Sequence, residues 1–254
     1  MLAILSPAKS LSFAPWSQSL PTSTPRFGKE SGKLLKILQD MSVCELQSLM
    51  NLSQTLAKRN AARYMIFDEL AEKPAILAFN GDVYQGLEAS SLTEQDLMTT
   101  NTRLRILSGF YGLLCPFDSI KAYRLEMGRN LKVDSATNLY QFWDRKITVA
   151  LNADAQALGA QYLVNLASQE YFAAIKPELL VPKLIQVHFK EEREGKLKII
   201  AFNAKRARGM MARYLCTLKA NDIEALKAFN WEGYNFSAEF SNETNFTFTR
   251  YIKN

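Results

Sequence analysis

One histidine and three cysteines in 254 residues leave this chain short of the side chains from which most metal and nucleophilic sites are built. Zinc and copper sites need clustered His and Cys ligands. The lone His188 lies in the apolar stretch Leu184–Phe189, where it reads as a strand residue with a satisfied ring. A Ser–His–Asp arrangement would have to use it, and no GxSxG elbow accompanies it. Without DxD or ExxH spacing, a carboxylate metal site has no support either. No metal and no cofactor is therefore expected, and any catalysis falls to Lys, Tyr, Asp and Glu. Cys44, Cys115 and Cys216 are odd in number, far apart and form no CxxC pair, as suits a reducing cytosol. No apolar stretch approaches the ~20 residues of a membrane span. The start, MLAILSPAK, has no basic n-region, so no signal peptide is expected. The expectation is a soluble cytoplasmic protein with no membrane partner.

What is present is ordinary globular composition with a basic bias: 48% hydrophobic, 22% charged, net charge +6 and pI near 9.1. That excess permits a polyanionic partner without requiring one. Leu2–Leu5 reads as a buried first strand, followed by the turn Ser6-Pro7-Ala8-Lys9. Residues 10–29 read as irregular surface. Residues 31–40 and 44–68 have apolar side chains at helical spacing. Residues 75–79 read as a second strand closed by Asn80-Gly81-Asp82. Further along, 146–158 reads as helix, 162–166 as strand and 170–175 as a short helix. A hairpin is expected from 183–189 and 197–202 around Arg193-Glu194-Gly195, then a helix over 222–229 and an edge strand over 245–251. With no repeats and no linker, this is one α/β (mixed α+β) domain over 1–254.

The most informative stretch is KRARGMMAR, Lys205–Arg213. On a helix, Lys205, Arg206, Arg208 and Arg213 fall within a sector of roughly 160°. Gly209 lies in that sector, where an anion could approach the backbone, and a mid-helix glycine costs about 1 kcal/mol against alanine. Asn203 would cap this helix. The alternative is a solvated basic face. Lys9, just past a buried strand, reads as an anion ligand, an activated amine or a plain surface lysine. Arg124 and Glu126 alternate in YRLEM, so on a strand they would share a face and pair, lining a cleft or bracing a loop. Asp82 after Gly81 reads as a turn-former. Tyr84, Tyr111, Tyr140, Phe142 and Trp143 could stack on bases or fill the core.

SPAK (6–9), FNGDVYQGL (79–87), LSGFYGLLCPFD (107–118), YRLEMG (123–128), YQFW (140–143), NLASQEYF (165–172), KRARGMMARY (205–214), FNWEGYNF (229–236) and FTRY (248–251) occur in this order. In that set and order the chain resembles the YaaA family of bacterial peroxide-stress proteins, from Met1 to Tyr251. The resemblance implies a role in the hydrogen-peroxide response, in limiting damage from unincorporated iron, and in DNA binding. It implies a compact mixed α/β fold with a central mixed sheet, surrounding helices, a positively charged cleft and a helix–hairpin–helix element. No settled catalytic activity comes with it. Residues 46–64 are the local candidate for that element, with Lys58-Arg59-Asn60 as the turn and no hairpin glycine. Lys58, Arg59 and Arg63 would then be phosphate partners.

Two functional classes follow. One is a protein that grips duplex or branched DNA without sequence preference, through Lys205, Arg206, Arg208 and Arg213 with Arg59 and Arg63. The other is an enzyme acting on a small phosphorylated or carboxylated substrate, with Lys9, Arg124, Glu126 and Lys205 converging on it.

Overall fold

The apolar run Leu2–Leu5 is wholly buried at the centre of an eight-stranded mixed sheet. A continuous apolar strand is what a parallel sheet covered on both faces requires. The structure, a computed structural model, describes residues 1–16, 20–193, 195–218 and 222–251. Glu194 of the expected hairpin turn, residues 17–19 of the expected irregular segment and the last three residues lie outside the described residues. Across the sheet the strands are Asn235–Phe236, Asn245–Tyr251, Lys183–Arg193, Tyr162–Asn165, Leu2–Leu5, Leu104–Ser108 and Gly112–Leu114. Lys196–Lys198 pairs separately with Lys183–Arg193.

Five of these strands run mutually parallel. Numbered along the chain, their spatial order is second, first, third, fourth, fifth, the order of flavodoxin-like doubly wound sheets. The register sets Ala3 beside Leu104 on one side and Leu2 beside Leu163 on the other. The long connection from the first strand to Leu104–Ser108 carries the helices Gly28–Asp40, Val43–Met50, Gln54–Met65, Asp82–Leu87 and Glu94–Arg103. Local chemistry fixes their starts: Ser42 and Glu45 form a reciprocal capping box, and Ser53 and Thr93 cap through their hydroxyls. Helices Lys146–Leu158 and Ala201–Thr217 belong to later connections. None of the helices is long and apolar enough to cross a membrane among the described residues.

Several expectations need correction. Residues 75–78 form a short helix, not a strand. A brief apolar run fits either state, and here Ala75 and Ile76 donate to the carbonyls of Asp118 and Pro116. Asn245–Tyr251 is not an edge strand: it is parallel to Lys183–Arg193 over its whole length, and Asn235–Phe236 covers its other side. The basic helix begins at Ala201, so Asn203 lies inside it and is no cap. Residues 223–228 are a 3₁₀ helix. Helices Val43–Met50 and Gln54–Met65 do follow one another, but the chain turns at Asn51, in the left-handed conformation with φ 52°. Lys58, Arg59 and Asn60 sit in the second helix, so the expected hairpin at those residues is absent.

Candidate anion site at the carboxyl ends of the central strands

The basic helix does not present an open glycine. Gly209 is buried against helix Asp82–Leu87, and a Cβ there would overlap the Val83 carbonyl oxygen and lie 2.8 Å from Leu87 N. Gly86 on the facing helix is equally tight, its Cβ position falling 3.0 Å from Met210 N. The two glycines let two helix backbones touch. The glycine that read as an anion approach is thus a packing device. Helical periodicity cannot tell the two uses apart.

The cations around that contact divide by role. Arg213 Nη1 donates to the carbonyl oxygens of Leu87 (3.0 Å) and Glu88 (2.8 Å) and to Ser91 Oγ (2.9 Å). It closes the carboxyl end of the Asp82–Leu87 helix and is not available to a ligand. Arg206 pairs with Glu232 at 2.8 Å at the surface. Lys205 reaches Asp82 only at 4.0 Å and stays largely exposed. Arg208 is half-buried and makes no hydrogen bond or ion pair among the described residues. Burial pushes its guanidinium pKa down.

A second group forms around Glu126, whose side chain is only 4% exposed. Arg124 Nε and Nη2 each meet Glu126 Oε1 at 2.8 Å, and Arg129 Nε meets Oε2 at 3.3 Å. Lys9 Nζ stands 4.0 Å from Oε1 with 65% of its side chain exposed. The sequence pairing of Arg124 with Glu126 is therefore present, and Lys9 joins it. Pairing of Ser10 with Asn80, and the approach of Ala8 Cβ to within 3.2 Å of the Cβ position at Gly81, set Lys9 next to Asp82. Asp82 begins its helix and faces Lys205. Lys9 thus pairs with Glu126 and Lys205 with Asp82, and the segments carrying Lys9 and Asp82 are neighbours.

The central strands Leu2–Leu5 and Tyr162–Asn165 end side by side. One chain continues toward Leu104–Ser108 and the other toward Lys183–Arg193, on opposite sides, which is a topological switch point. The ladder ends with Leu166 N donating to Ile4 O. Beyond it Ser168 N donates to Ser6 Oγ at 2.8 Å, the two hydroxyls lie 3.3 Å apart, and Tyr84 Oη donates to Ser6 O at 3.1 Å. Burial pushes the phenols of Tyr84 and Tyr171 up, so both stay neutral donors at physiological pH. Ser6, Ser168, Arg129 and Tyr171 were not singled out from the sequence. Ser6 and Ser168 are 162 positions apart, and only the sheet brings them together.

Arg59 and Lys58 are exposed, and Arg63 is half-buried, on the 54–65 helix. None of the three has a carboxylate partner among the described residues. Burial first and then the charge of Arg59 push the Arg63 guanidinium pKa down. Tyr64 on the same helix hydrogen-bonds the Arg124 carbonyl, which ties this helix to the Glu126 group. Tyr84, Tyr111, Phe142 and Trp143 are buried, and Tyr140 Oη is held by Glu170 O, so these rings pack rather than offer a stacking platform. His188 Nε2 lies 3.2 Å from Asn245 Oδ1, a satisfied strand histidine. Among the described residues no three His, Cys, Asp or Glu side chains gather as a metal site would need.

The order of the parallel strands defines a mixed α/β protein, and side chains of both charges lie near its switch point. The sequence model of the family described as peroxide stress protein YaaA matches residues 1–240, and the chain belongs to that family. It is 46% identical over 254 residues to a UPF0246 protein of Shewanella baltica, covering 98% of this chain and 99% of that one. A UPF0246 protein of Caulobacter vibrioides is 43% identical over 252 residues, covering 98% and 99%.

Proposed function

We propose that this cytoplasmic peroxide-stress protein binds DNA without sequence preference, and so limits iron-dependent oxidative damage to it. The phosphate contacts come from Lys58, Arg59 and Arg63, continue through Arg124 to Lys9, and take Lys205 and Arg206 as exposed outliers. One observation carries this reading: Arg59 and Arg63 stand at i and i+4 with no carboxylate between them. Like charges so placed repel by roughly 0.2–0.5 kcal/mol, and a phosphate bound between them reverses the sign. The grip therefore shifts from the basic helix, where Arg213 is committed to packing, to the 54–65 helix. The test is fluorescence anisotropy with duplexes of unrelated sequence across a salt series. Each phosphate contact contributes a log–log slope of about −0.9, so Lys58→Gln, Arg59→Gln or Arg63→Gln each flattens it by about 0.9. A salt-independent affinity, or variants with the slope of the parent, refutes this assignment.

A second reading, turnover of a small phosphorylated or carboxylated substrate, is favoured by the buried Glu126 ringed by Arg124, Arg129 and Lys9. Such a ring fixes the charges in place before a substrate arrives, which is what positioning for catalysis requires.

A further inference from the structure

Three cations near the switch point are under-used. Glu126 is already satisfied by Arg124 on one oxygen and Arg129 on the other, so Lys9 at 4.0 Å is surplus to it. Lys205 has only the 4.0 Å contact with Asp82. Arg208, one turn beyond Lys205 and adjacent to it on the helix surface, is desolvated without a hydrogen bond or ion pair among the described residues. A half-buried guanidinium gives up part of its hydration, which an anion can replace. The acidic groups nearby are Glu126, Asp82 and Glu170. Glu170 is engaged with the Gly128 N–H at 3.1 Å. Positive charge remains in excess.

The uncharged partners suit the same ligand. Ser6 and Ser168 place two hydroxyls side by side at the ends of adjacent strands. In open α/β sheets ligands bind at this place, where the connections part. The topology and the lightly paired cations are separate observations, linked through Lys9, which follows Ser6 by three residues.

We propose that the switch point is a binding site for a phosphate dianion, the terminal group of a small phosphomonoester, held by Lys9, Lys205 and Arg208 with the Ser168 hydroxyl as donor and Ser6 orienting it. Lys9 leaves Glu126 to reach the ligand, and Glu126 keeps its two arginines. Three cations outnumber what a carboxylate monoanion needs, which selects the doubly charged group. The inference rests on the small-anion reading of this site and not on DNA binding.

The experiment is titration of the intact protein with inorganic phosphate, dimethyl phosphate and acetate, at matched ionic strength, read as the shift in unfolding temperature. A ligand that binds only the folded state raises that temperature with its concentration. Phosphate is expected to do so, with dimethyl phosphate and acetate weaker by roughly tenfold or more. Lys9→Gln and Lys205→Gln, both at exposed positions, are each expected to weaken phosphate by about tenfold. Lys183→Gln, at the opposite, amino-terminal end of the parallel strands, leaves it unchanged. If acetate binds as tightly as phosphate, the phosphate assignment falls while the small-anion reading survives. If no anion shifts the transition, both fall. If phosphate binds equally to the parent and to the Lys9 and Lys205 variants, the site is elsewhere and the proposal is overturned.

Discussion

Replacing Gly209 with alanine adds one methyl group where two helix backbones touch. The new Cβ would lie 2.8 Å from Leu87 N, about 0.6 Å short of the 3.4 Å at which ordinary contact begins, and it would overlap the Val83 carbonyl oxygen. Both obstacles are backbone, so no side chain can swing aside, and the helices must separate. Overpacking of this kind costs about 1–3 kcal/mol, and a backbone obstacle belongs at the upper end. Alanine returns about 1 kcal/mol of helix propensity, which leaves a net loss of about 2 kcal/mol. For a chain of this length that lowers Tm by roughly 4–8 °C. Gly32→Ala is the matched control: it also lies within a helix, Gly28–Asp40, but nothing lies within 4 Å of its Cβ position. There only the propensity term acts, and Tm should rise. Thermal and urea unfolding followed by circular dichroism read both variants. If Gly209→Ala matches or exceeds the parent, the helices do not need the glycine and the close-contact argument fails.

Arg213→Ala removes three hydrogen bonds from the end of the 82–87 helix. It should destabilise by about 1–3 kcal/mol in urea unfolding while the salt slope of DNA binding stays that of the parent; an altered slope with full stability would place Arg213 at the interface. Glu191 is almost fully buried among Arg193, Arg250, Asn203 and Tyr234. Burial pushes its carboxyl pKa up, but the hydrogen bonds from Arg193, Arg250 and Asn203 outweigh this and hold it below the ordinary glutamate value of 4.5. Because the folded state holds the proton less tightly than the unfolded chain, this stabilisation is complete above about pH 4.5 and is lost as pH falls through the lowered value. Glu191→Gln should therefore be less stable near neutrality and flatter in the acid range. Parallel pH profiles of parent and variant would show that Glu191 does not carry the effect.

Much of the framework was legible in the residues alone. Leu2–Leu5, the 146–158 helix and the strands near 162 and 183 could be read because each is a local pattern of apolar residues matched to one period. The pairing of Arg124 with Glu126 was legible too, since the two are only two positions apart and no distant element is needed. Residues 75–78 misled because four apolar residues fit a strand or a helix equally, and partners on a remote loop settled it. Gly209 misled more instructively. Helical periodicity puts it in one sector with Lys205, Arg206, Arg208 and Arg213, but the space beside it is taken by a helix more than a hundred positions earlier in the chain. The sequence by itself determined which residues are charged and which elements they ride on. Only the tertiary structure decided which charges are consumed by packing, as at Arg213, and which are paired loosely, as at Lys9, or not at all among the described residues, as at Arg208, because a side chain's partners come from distant segments and no local period records them.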